Sequence, residues 1–146
     1  MTALLEGQQV LVTGADGFIG SHLVERLVRE GATVRALCLY TSRGTHGWLD
    51  ELDPDLRGSV DLRLGDVRDA GLVRDLVDGC GLVLHLASLI AIPYSYLAPA
   101  SFVETNVTGV LNLLEGVRAS GARMVNTSTS EVYGTPETVP INETHP

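Results

Sequence analysis

The 146-residue sequence contains no lysine, and its ten basic residues are all arginine. Eighteen acidic residues outnumber them, so the formal net charge is −8 and the isoelectric point is about 4.8. Proteins that bind nucleic acids draw most of their affinity from cationic side chains on the phosphate backbone. The scarcity of positive charge therefore argues against a nucleic-acid partner.

Long apolar runs and cysteine clusters are also missing. No stretch of about eighteen apolar residues occurs, which argues against a membrane span, and residues 1–6 lack the basic start and apolar run of a signal peptide. The two cysteines, Cys38 and Cys80, have apolar neighbours and no C-x-x-C spacing, which predicts buried, reduced thiols and no metal site. These absences favour a cytoplasmic protein with a single globular domain.

Apolar runs and amphipathic stretches alternate along the chain. Short apolar runs predict strands at residues 8–13, 33–39, 60–64, 82–86 and 122–128. Helical periodicity predicts helices at residues 18–30, 69–78 and 100–120. A single helical turn is expected at residues 48–52 and is ended by Pro54, and the proline-containing segment before residue 100 is expected to be a loop.

Strands that alternate with helices are typical of β-α-β units, in which a crossover through the helix joins two parallel strands and is right-handed. The sequence therefore predicts an α/β fold of the Rossmann type. We expect a doubly wound parallel sheet in the order 3-2-1-4-5, with helices on both faces.

The motif with the clearest chemistry is the glycine-rich run T-G-A-D-G-F-I-G at residues 13–20. It follows a predicted strand and opens a predicted helix, as a dinucleotide-binding turn does. Gly14 would permit the tight turn, Gly17 would let the backbone approach a pyrophosphate, and Gly20 would let the helix pack against the sheet. The alternative is a plain glycine-rich turn. The predicted cofactor-binding residues here are Gly14, Asp16, Gly17, Phe18, Ile19 and Gly20.

The G-x-x-G-x-x-G spacing resembles that of the short-chain dehydrogenase/reductase superfamily, in particular its extended branch of NAD(P)-dependent epimerases and dehydratases. Residues 64–69 and 85–88 are similar to further motifs of that branch. The resemblance implies that Asp66 and Val67 contact the adenine ring, although Asp66 would also suit a helix N-cap. It implies that the central ribose and phosphates are lined by Leu86, Ala87 and Ser88.

His85 lies inside an apolar strand and is expected to be a satisfied core residue.

The end of the second predicted strand departs from the family's pattern. NAD enzymes usually carry Asp or Glu there to bond the 2′-hydroxyl of the adenosine ribose, but the matching position is Cys38. Thr41, Ser42 and Arg43 follow instead, and an arginine beside small hydroxyl residues would hold a 2′-phosphate. The sequence thus does not decide between NAD and NADP, but it favours NADP. The alternative is that Arg43 is only a solvated charge in the loop.

Residues 126–134 resemble the S-T-x-E-V-Y-G segment of nucleotide-sugar 4,6-dehydratases. Residues 89–96, 106–109 and 127–134 together are similar to the UDP-N-acetylglucosamine 4,6-dehydratase group. In that reaction the sugar is oxidised at C4, loses its C5 proton and its C6 hydroxyl as one water, and then receives hydride at C6 and a proton at C5. The resemblance implies that Thr129 hydrogen-bonds the C4 oxygen and that Glu131 is the base at C5. Ser130 stands where many dTDP-glucose dehydratases have Asp, and it is the third catalytic candidate. The alternative is that Thr129, Ser130 and Glu131 are only polar residues in the loop that follows the strand.

The predicted helix at residues 100–120 carries two further assignments. By resemblance, Asn106 supports the architecture of the active site and is grouped with the cofactor-binding residues, whereas a satisfied buried asparagine is the alternative. In the superfamily this helix also joins a dimer-forming bundle, which implies a homodimer. The implied small-molecule partner is a nucleotide sugar.

The family's acid/base pair, Tyr-x-x-x-Lys, has no counterpart in a chain without lysine. We therefore expect residues 1–133 to form an incomplete NAD(P)-binding Rossmann domain, truncated before a sixth strand. Residues 134–146 would be an irregular tail leading to a catalytic helix and substrate region in a longer protein, and the chain alone would be inactive.

Three functions stay open on the sequence. The chain is the cofactor-binding part of a nucleotide-sugar 4,6-dehydratase, or part of a nucleotide-sugar 4-epimerase or reductase. If the protein ends at residue 146, it is a non-catalytic NAD(P)-binding module.

Overall fold

The structure is a computed structural model that describes residues 5–145. Within these residues, five parallel strands form one sheet in the order β3-β2-β1-β4-β5. The strands are β1 (Gln9–Thr13), β2 (Thr33–Leu39), β3 (Asp61–Gly65), β4 (Leu82–His85) and β5 (Arg123–Asn126). The α/β Rossmann-type fold and the strand order predicted from the sequence are confirmed.

Six α-helices connect and cover the strands in the described part of the chain. They are α1 (Phe18–Arg29), α2 (Pro54–Gly58), α3 (Ala70–Val77), α4 (Ile92–Leu97), α5 (Pro99–Val103) and α6 (Gly109–Ser120). A π-helical turn at Glu104–Thr108 joins α5 to α6, and 3₁₀ turns lie at Gly47–Glu51 and Ser130–Tyr133. None of the described helices has the length and apolar character needed to cross a bilayer.

Two short helices differ from the sequence prediction. The helical turn predicted at residues 48–52 is present at Gly47–Glu51 and ends before Pro54, but Pro54 is also the first residue of α2, which was not predicted. Residues 92–97 were expected to lie in a loop, but they form α4, with Pro93 in its first turn. Proline suits these positions because the N–H groups of a first helical turn have no partner within the helix.

The core lies in two layers, one on each face of the sheet. Val10 and Val12 of β1 are fully buried on the face covered by α1, whereas Leu11 points to the opposite face and packs in the cluster that contains Val73 and Leu113. This alternation follows from the two-residue period of a strand. A strand covered on both faces carries a continuous apolar run, as β1 does at residues 10–12.

The cysteines are free and buried, as predicted. Burial, with a further contribution from the Asp16 carboxylate, raises the pKa of Cys38 to about 12, so this residue remains a thiol. Burial also raises the pKa of Cys80.

Candidate functional site

A cleft of about 440 Å³ lies at the carboxyl edge of the sheet. The loop after β1 leads towards β2, whereas β4 and β5 lie on the other side of β1. The loops that follow β1 and β4 therefore run in opposite directions and leave a crevice between them at this edge. The strand ends and the loops after them contribute Gly14, Asp16, Gly17, Leu37, Leu39, 65–68 and 86–89. The helical segments behind the cleft contribute Tyr94, Ser101 and Thr105.

Eight of the residues assigned to a cofactor from the sequence line this cleft. They are Gly14, Asp16, Gly17, Asp66, Val67, Leu86, Ala87 and Ser88. They come from three separate segments of the sequence, and the parallel sheet brings them together because its carboxyl ends share one edge.

The glycine turn has no room for side chains at two of its positions. Gly14 has a φ of +66°, and a Cβ atom there would lie 2.8 Å from the backbone nitrogen of Ala87. At Gly20, a Cβ atom would run into the carbonyl oxygen of Gly14. These contacts allow α1 to begin directly above the end of β1 and to pack tightly against the turn.

The start of α1 is left without a side-chain cap. Its N-cap is Gly17, which makes no side-chain hydrogen bond, and its first turn holds no acidic residue. The first N–H groups of a helix lack partners within the helix and lie at the positive end of its dipole. This arrangement suits an anion such as a pyrophosphate.

Phe18 and Ile19 open α1 but do not line the cleft. Their side chains are 58% and 66% exposed. The Phe18 ring packs edge-on against Trp48, with 5.5 Å between ring centroids, and 4.7 Å from His22. These two residues flank the turn from outside.

Asp66 follows β3 and pairs with Arg68, which the sequence analysis missed. Its carboxylate accepts hydrogen bonds from the backbone N–H of Arg68 at 2.9 Å and from the guanidinium at 2.6 Å. The hydrogen bond from the Arg68 guanidinium, with a smaller one from the backbone, holds the pKa of Asp66 below its usual range although burial opposes this. The cap of α3 is Asp69, which accepts from Gly71 and Leu72, so the N-cap alternative for Asp66 is wrong.

The end of β4 is fixed by a buried polar pair. Nδ1 of His85 lies 2.6 Å from Oγ1 of Thr13, and that hydroxyl accepts a hydrogen bond from the N–H of Ala87 at 3.3 Å. Burial lowers the pKa of His85, which favours the neutral ring. His85 is therefore the core residue that the sequence predicted, and its contact with Thr13 joins β1 to the loop that lines the cleft.

Two asparagines on the π-turn and α6 hold the loops of the cleft. Asn106 accepts from the N–H of Leu89 and donates to its carbonyl, both at 2.8 Å. Asn112 donates to the carbonyls of Val67 and Arg68 at 3.0 and 3.1 Å. Asn106 itself does not line the cleft. Asn112 was missed, and its only signal was a polar residue in a largely apolar helix.

Ser42 and Arg43 are exposed and lie outside the lining of the cleft. The carboxylate nearest the end of β2 belongs instead to the glycine turn, because Oδ2 of Asp16 accepts a hydrogen bond from the N–H of Leu39 at 3.2 Å. The structure thus places the carboxylate of Asp16, and not Arg43, in the cleft at the end of β2.

Thr129, Ser130 and Glu131 lie together beyond β5, outside the lining of the cleft, and all three are exposed. Thr129 is the N-cap of the 3₁₀ turn, and its hydroxyl accepts a hydrogen bond from the N–H of Glu131 at 3.3 Å. The N–H of Thr127 donates to the carbonyl of His85 at 3.1 Å, so the segment leaves the sheet alongside the end of β4.

The described residues hold no group of three or more His, Cys, Asp or Glu side chains placed to bind a metal ion.

The sequence matches known families of sugar-nucleotide enzymes. The model of a family described as GDP-mannose 4,6 dehydratase matches residues 11–146. The dTDP-glucose 4,6-dehydratase of Mycobacterium tuberculosis H37Rv is 37% identical over 130 residues, which are 86% of this chain and 38% of that protein. The UDP-glucose 4-epimerase of Lactobacillus helveticus is 34% identical over 142 residues, 94% of this chain and 40% of that protein.

Solved structures of epimerases have the same fold. The UDP-glucose 4-epimerase of Bifidobacterium longum, solved in complex with NAD+ and UDP, matches with a TM-score of 0.82 and 29% identity over 95% of this chain and 42% of that one. The UDP-N-acetylglucosamine 4-epimerase of Methanobrevibacter ruminantium M1 matches with a TM-score of 0.81 and 26% identity, covering 97% of this chain and 44% of that chain. The chain thus spans about two fifths of the length of these relatives.

Proposed function

This chain belongs to the GDP-mannose 4,6-dehydratase family, among the epimerases and dehydratases of the short-chain dehydrogenase/reductase superfamily, and from that premise we propose that it is the cofactor-binding part of an NAD(P)-dependent nucleotide-sugar 4,6-dehydratase. The observation that carries the cofactor role is the cleft over the glycine turn, at the edge where the strand order reverses.

The residues around the cleft fit a dinucleotide. Gly14 and Gly20 have no space for a Cβ atom, so the start of α1 packs directly against the end of β1. Gly17, the N-cap, puts no side chain where a pyrophosphate would approach, and the uncapped start of α1 would bind its charge. Asp66 and Val67 would hold the adenine at one end. Residues 86–88 would lie along the riboses and phosphates. The B. longum epimerase, solved with NAD+, supports this assignment.

The residues that follow β5 would act on the sugar. The nicotinamide ring supplies hydride transfer when the cofactor is bound. Because the Thr129 hydroxyl accepts from the N–H of Glu131, its own proton is left to donate to the C4 oxygen of the sugar. Glu131 is exposed and would take the C5 proton. Ser130 lies beside both and is the remaining candidate for a hydrogen bond to the leaving hydroxyl.

A 4-epimerase is the second candidate, because several relatives carry that name. Dehydration requires a base at C5, whereas epimerisation at C4 does not, so the role of Glu131 separates the two functions. We expect Glu131→Gln in the natural gene product to lower the rate of dehydration by a factor of about 100 or more, because the reaction would stall after oxidation at C4. Mass spectrometry of the sugar product measures this.

Glu137→Gln is the matched control, because it makes the same change at another exposed glutamate after β5. Full dehydratase activity in the Glu131→Gln enzyme would refute the assigned base. Steady conversion of substrate to its C4 epimer by both variants would establish the epimerase.

The 146 residues contain no lysine to pair with a catalytic tyrosine, so we propose that this segment binds the cofactor without turning over substrate. The intact mass of the natural gene product tests the wider proposal. A mass near 15.5 kDa would favour a non-catalytic binding module, and a larger mass would favour the dehydratase. The free, buried thiols of Cys38 and Cys80 support a reducing, cytoplasmic location.

A further inference from the structure

The choice between NAD and NADP depends on the group that faces the 2′ position of the adenosine ribose. In dinucleotide folds that group lies at the end of β2. Here Cys38 is fully buried and Leu39 lines the cleft, so neither side chain reads a hydroxyl or a phosphate. The backbone N–H of Leu39 is polar, and it is already bonded to the Asp16 carboxylate.

Asp16 is fixed in this place from two sides. Its Oδ2 accepts from the N–H of Leu39 at 3.2 Å, and its backbone oxygen accepts from the N–H of Trp48 at 3.0 Å. A Cβ atom on Gly47 would run into that same backbone oxygen, so the segment after the β2 loop closes tightly over Asp16. The carboxylate is therefore held at the strand end by contacts that need no ligand.

The other charges that line the cleft are paired with one another. Arg68 lies 2.6 Å from Asp66 and 3.1 Å from Glu104, which leaves its guanidinium committed to two carboxylates. Asp16 has no ion-pair partner among residues 5–145, and Arg43 is not part of the lining. Within the described part of the chain, Asp16 is therefore the one charged group of the cleft lining that is not in an ion pair.

We propose that Asp16 sets the cofactor preference of this chain, by accepting a hydrogen bond from the 2′-hydroxyl of NAD and repelling the 2′-phosphate of NADP. The inference rests on the proposed cofactor role of the cleft. A carboxylate has more acceptor positions than its bond to Leu39 uses, so it has room for a hydroxyl donor. A phosphate of charge near −2 would meet a like charge, and the one cation that lines the cleft among the described residues, Arg68, is already paired with Asp66 and Glu104. This assignment replaces the leaning towards NADP that Arg43 suggested in the sequence.

Titration calorimetry of the chain with NAD and with NADP tests the proposal without any activity assay. We expect the native chain to bind NAD at least about tenfold more tightly than NADP. In Asp16→Asn the amide oxygen can still accept from Leu39 while the charge is gone, so NADP affinity should rise about tenfold and NAD affinity should change little. Glu51→Gln is the control, because it removes the same charge at an exposed site outside the cleft and should leave both affinities unchanged.

The salt dependence of the native chain gives a second readout that needs no variant. If Asp16 repels the 2′-phosphate, raising the salt concentration from about 0.05 M to about 0.5 M screens the repulsion. The difference in affinity between NAD and NADP should then become smaller. If Arg43 attracts the phosphate, salt weakens NADP binding relative to NAD.

Each outcome has a distinct meaning. Equal or tighter binding of NADP by the native chain, or an unchanged NADP affinity in Asp16→Asn, would overturn the role of Asp16 and leave the cofactor site standing. Failure of both dinucleotides to bind a folded chain would overturn the proposed function and this inference with it.

Discussion

His85 shows how one buried side chain makes stability depend on pH. Burial lowers its pKa in the folded chain, whereas in the unfolded chain the ring returns to its ordinary value of about 6.5. Between these values the unfolded chain binds a proton that the folded chain does not. The stability that His85 contributes is therefore present above pH about 6.5 and is lost as the pH falls below it.

We expect the variant His85→Gln to lack this loss of stability at low pH, because glutamine does not titrate. The free energy of unfolding in urea, measured from pH 7.5 to 5.5, should fall for the native chain by at most about 1.4 kcal/mol per pH unit from this residue. The aspartates whose pKa values are lowered, Asp50, Asp61 and Asp66, titrate below that range. His22→Gln removes an exposed histidine of α1 and is the control for the loss of a histidine outside the core. If the free energy of unfolding of His85→Gln fell with pH as steeply as that of the native chain, His85 would not be the source of the pH dependence.

The packing of α1 against the glycine turn is the contact between elements that shapes the site most directly. A methyl group at Gly20 would meet the carbonyl of Gly14 and lie 2.8 Å from Cα of Ala15, so the helix would have to move away from the turn. We expect Gly20→Ala to lower the free energy of unfolding by about 1–3 kcal/mol and to weaken dinucleotide binding. Urea unfolding and calorimetry measure the two effects.

Gly58→Ala provides the comparison. Gly58 ends α2, a Cβ there meets nothing within 4 Å, and alanine favours a helix, so its stability should stay level or rise slightly. Similar losses in both variants would show that the close approach at Gly20 is unimportant.

Among the secondary-structure elements, the long periodic helices and the ends of the strands were predictable from the sequence. Short helical turns and contacts between distant loops were not. The periodic run that becomes α1 begins at Phe18 in both prediction and structure. The π-turn at Glu104–Thr108 was not predicted, because its side chains continue the helical pattern. The cleft residues that follow β1, β3 and β4 were predictable because parallel strands end at one edge. The position of Asp16 beside Leu39 was not, because it depends on how the distant Gly47 packs over the turn.

For the whole molecule, the homodimer implied by the sequence resemblance remains a proposal, and the structure offers one face for it. Val103, Val107, Leu111 and Leu114 lie along α5, the π-turn and α6, and each is between 50% and 62% exposed. Exposed apolar side chains contiguous on one helix are typical of an interface. We propose that a second copy of this chain covers this face.

Leu111→Glu should disrupt such a dimer, because it would bury a charge in the interface. Light scattering is expected to give twice 15.5 kDa for the native chain and 15.5 kDa for the variant. Ala119→Glu puts the same charge on an exposed position of α6 outside this face and should leave the dimer intact. A native chain that stays monomeric at high concentration would exclude this dimer.

Trp48 is the single tryptophan of the sequence, and its position has an optical consequence. Its indole ring is edge-on to Phe18, and its backbone N–H is bonded to Asp16, so it lies against the start of α1. Its ring is 52% exposed and open to solvent quenchers. All indole fluorescence of these 146 residues therefore originates beside the glycine turn, and their emission spectrum is a local record of that turn.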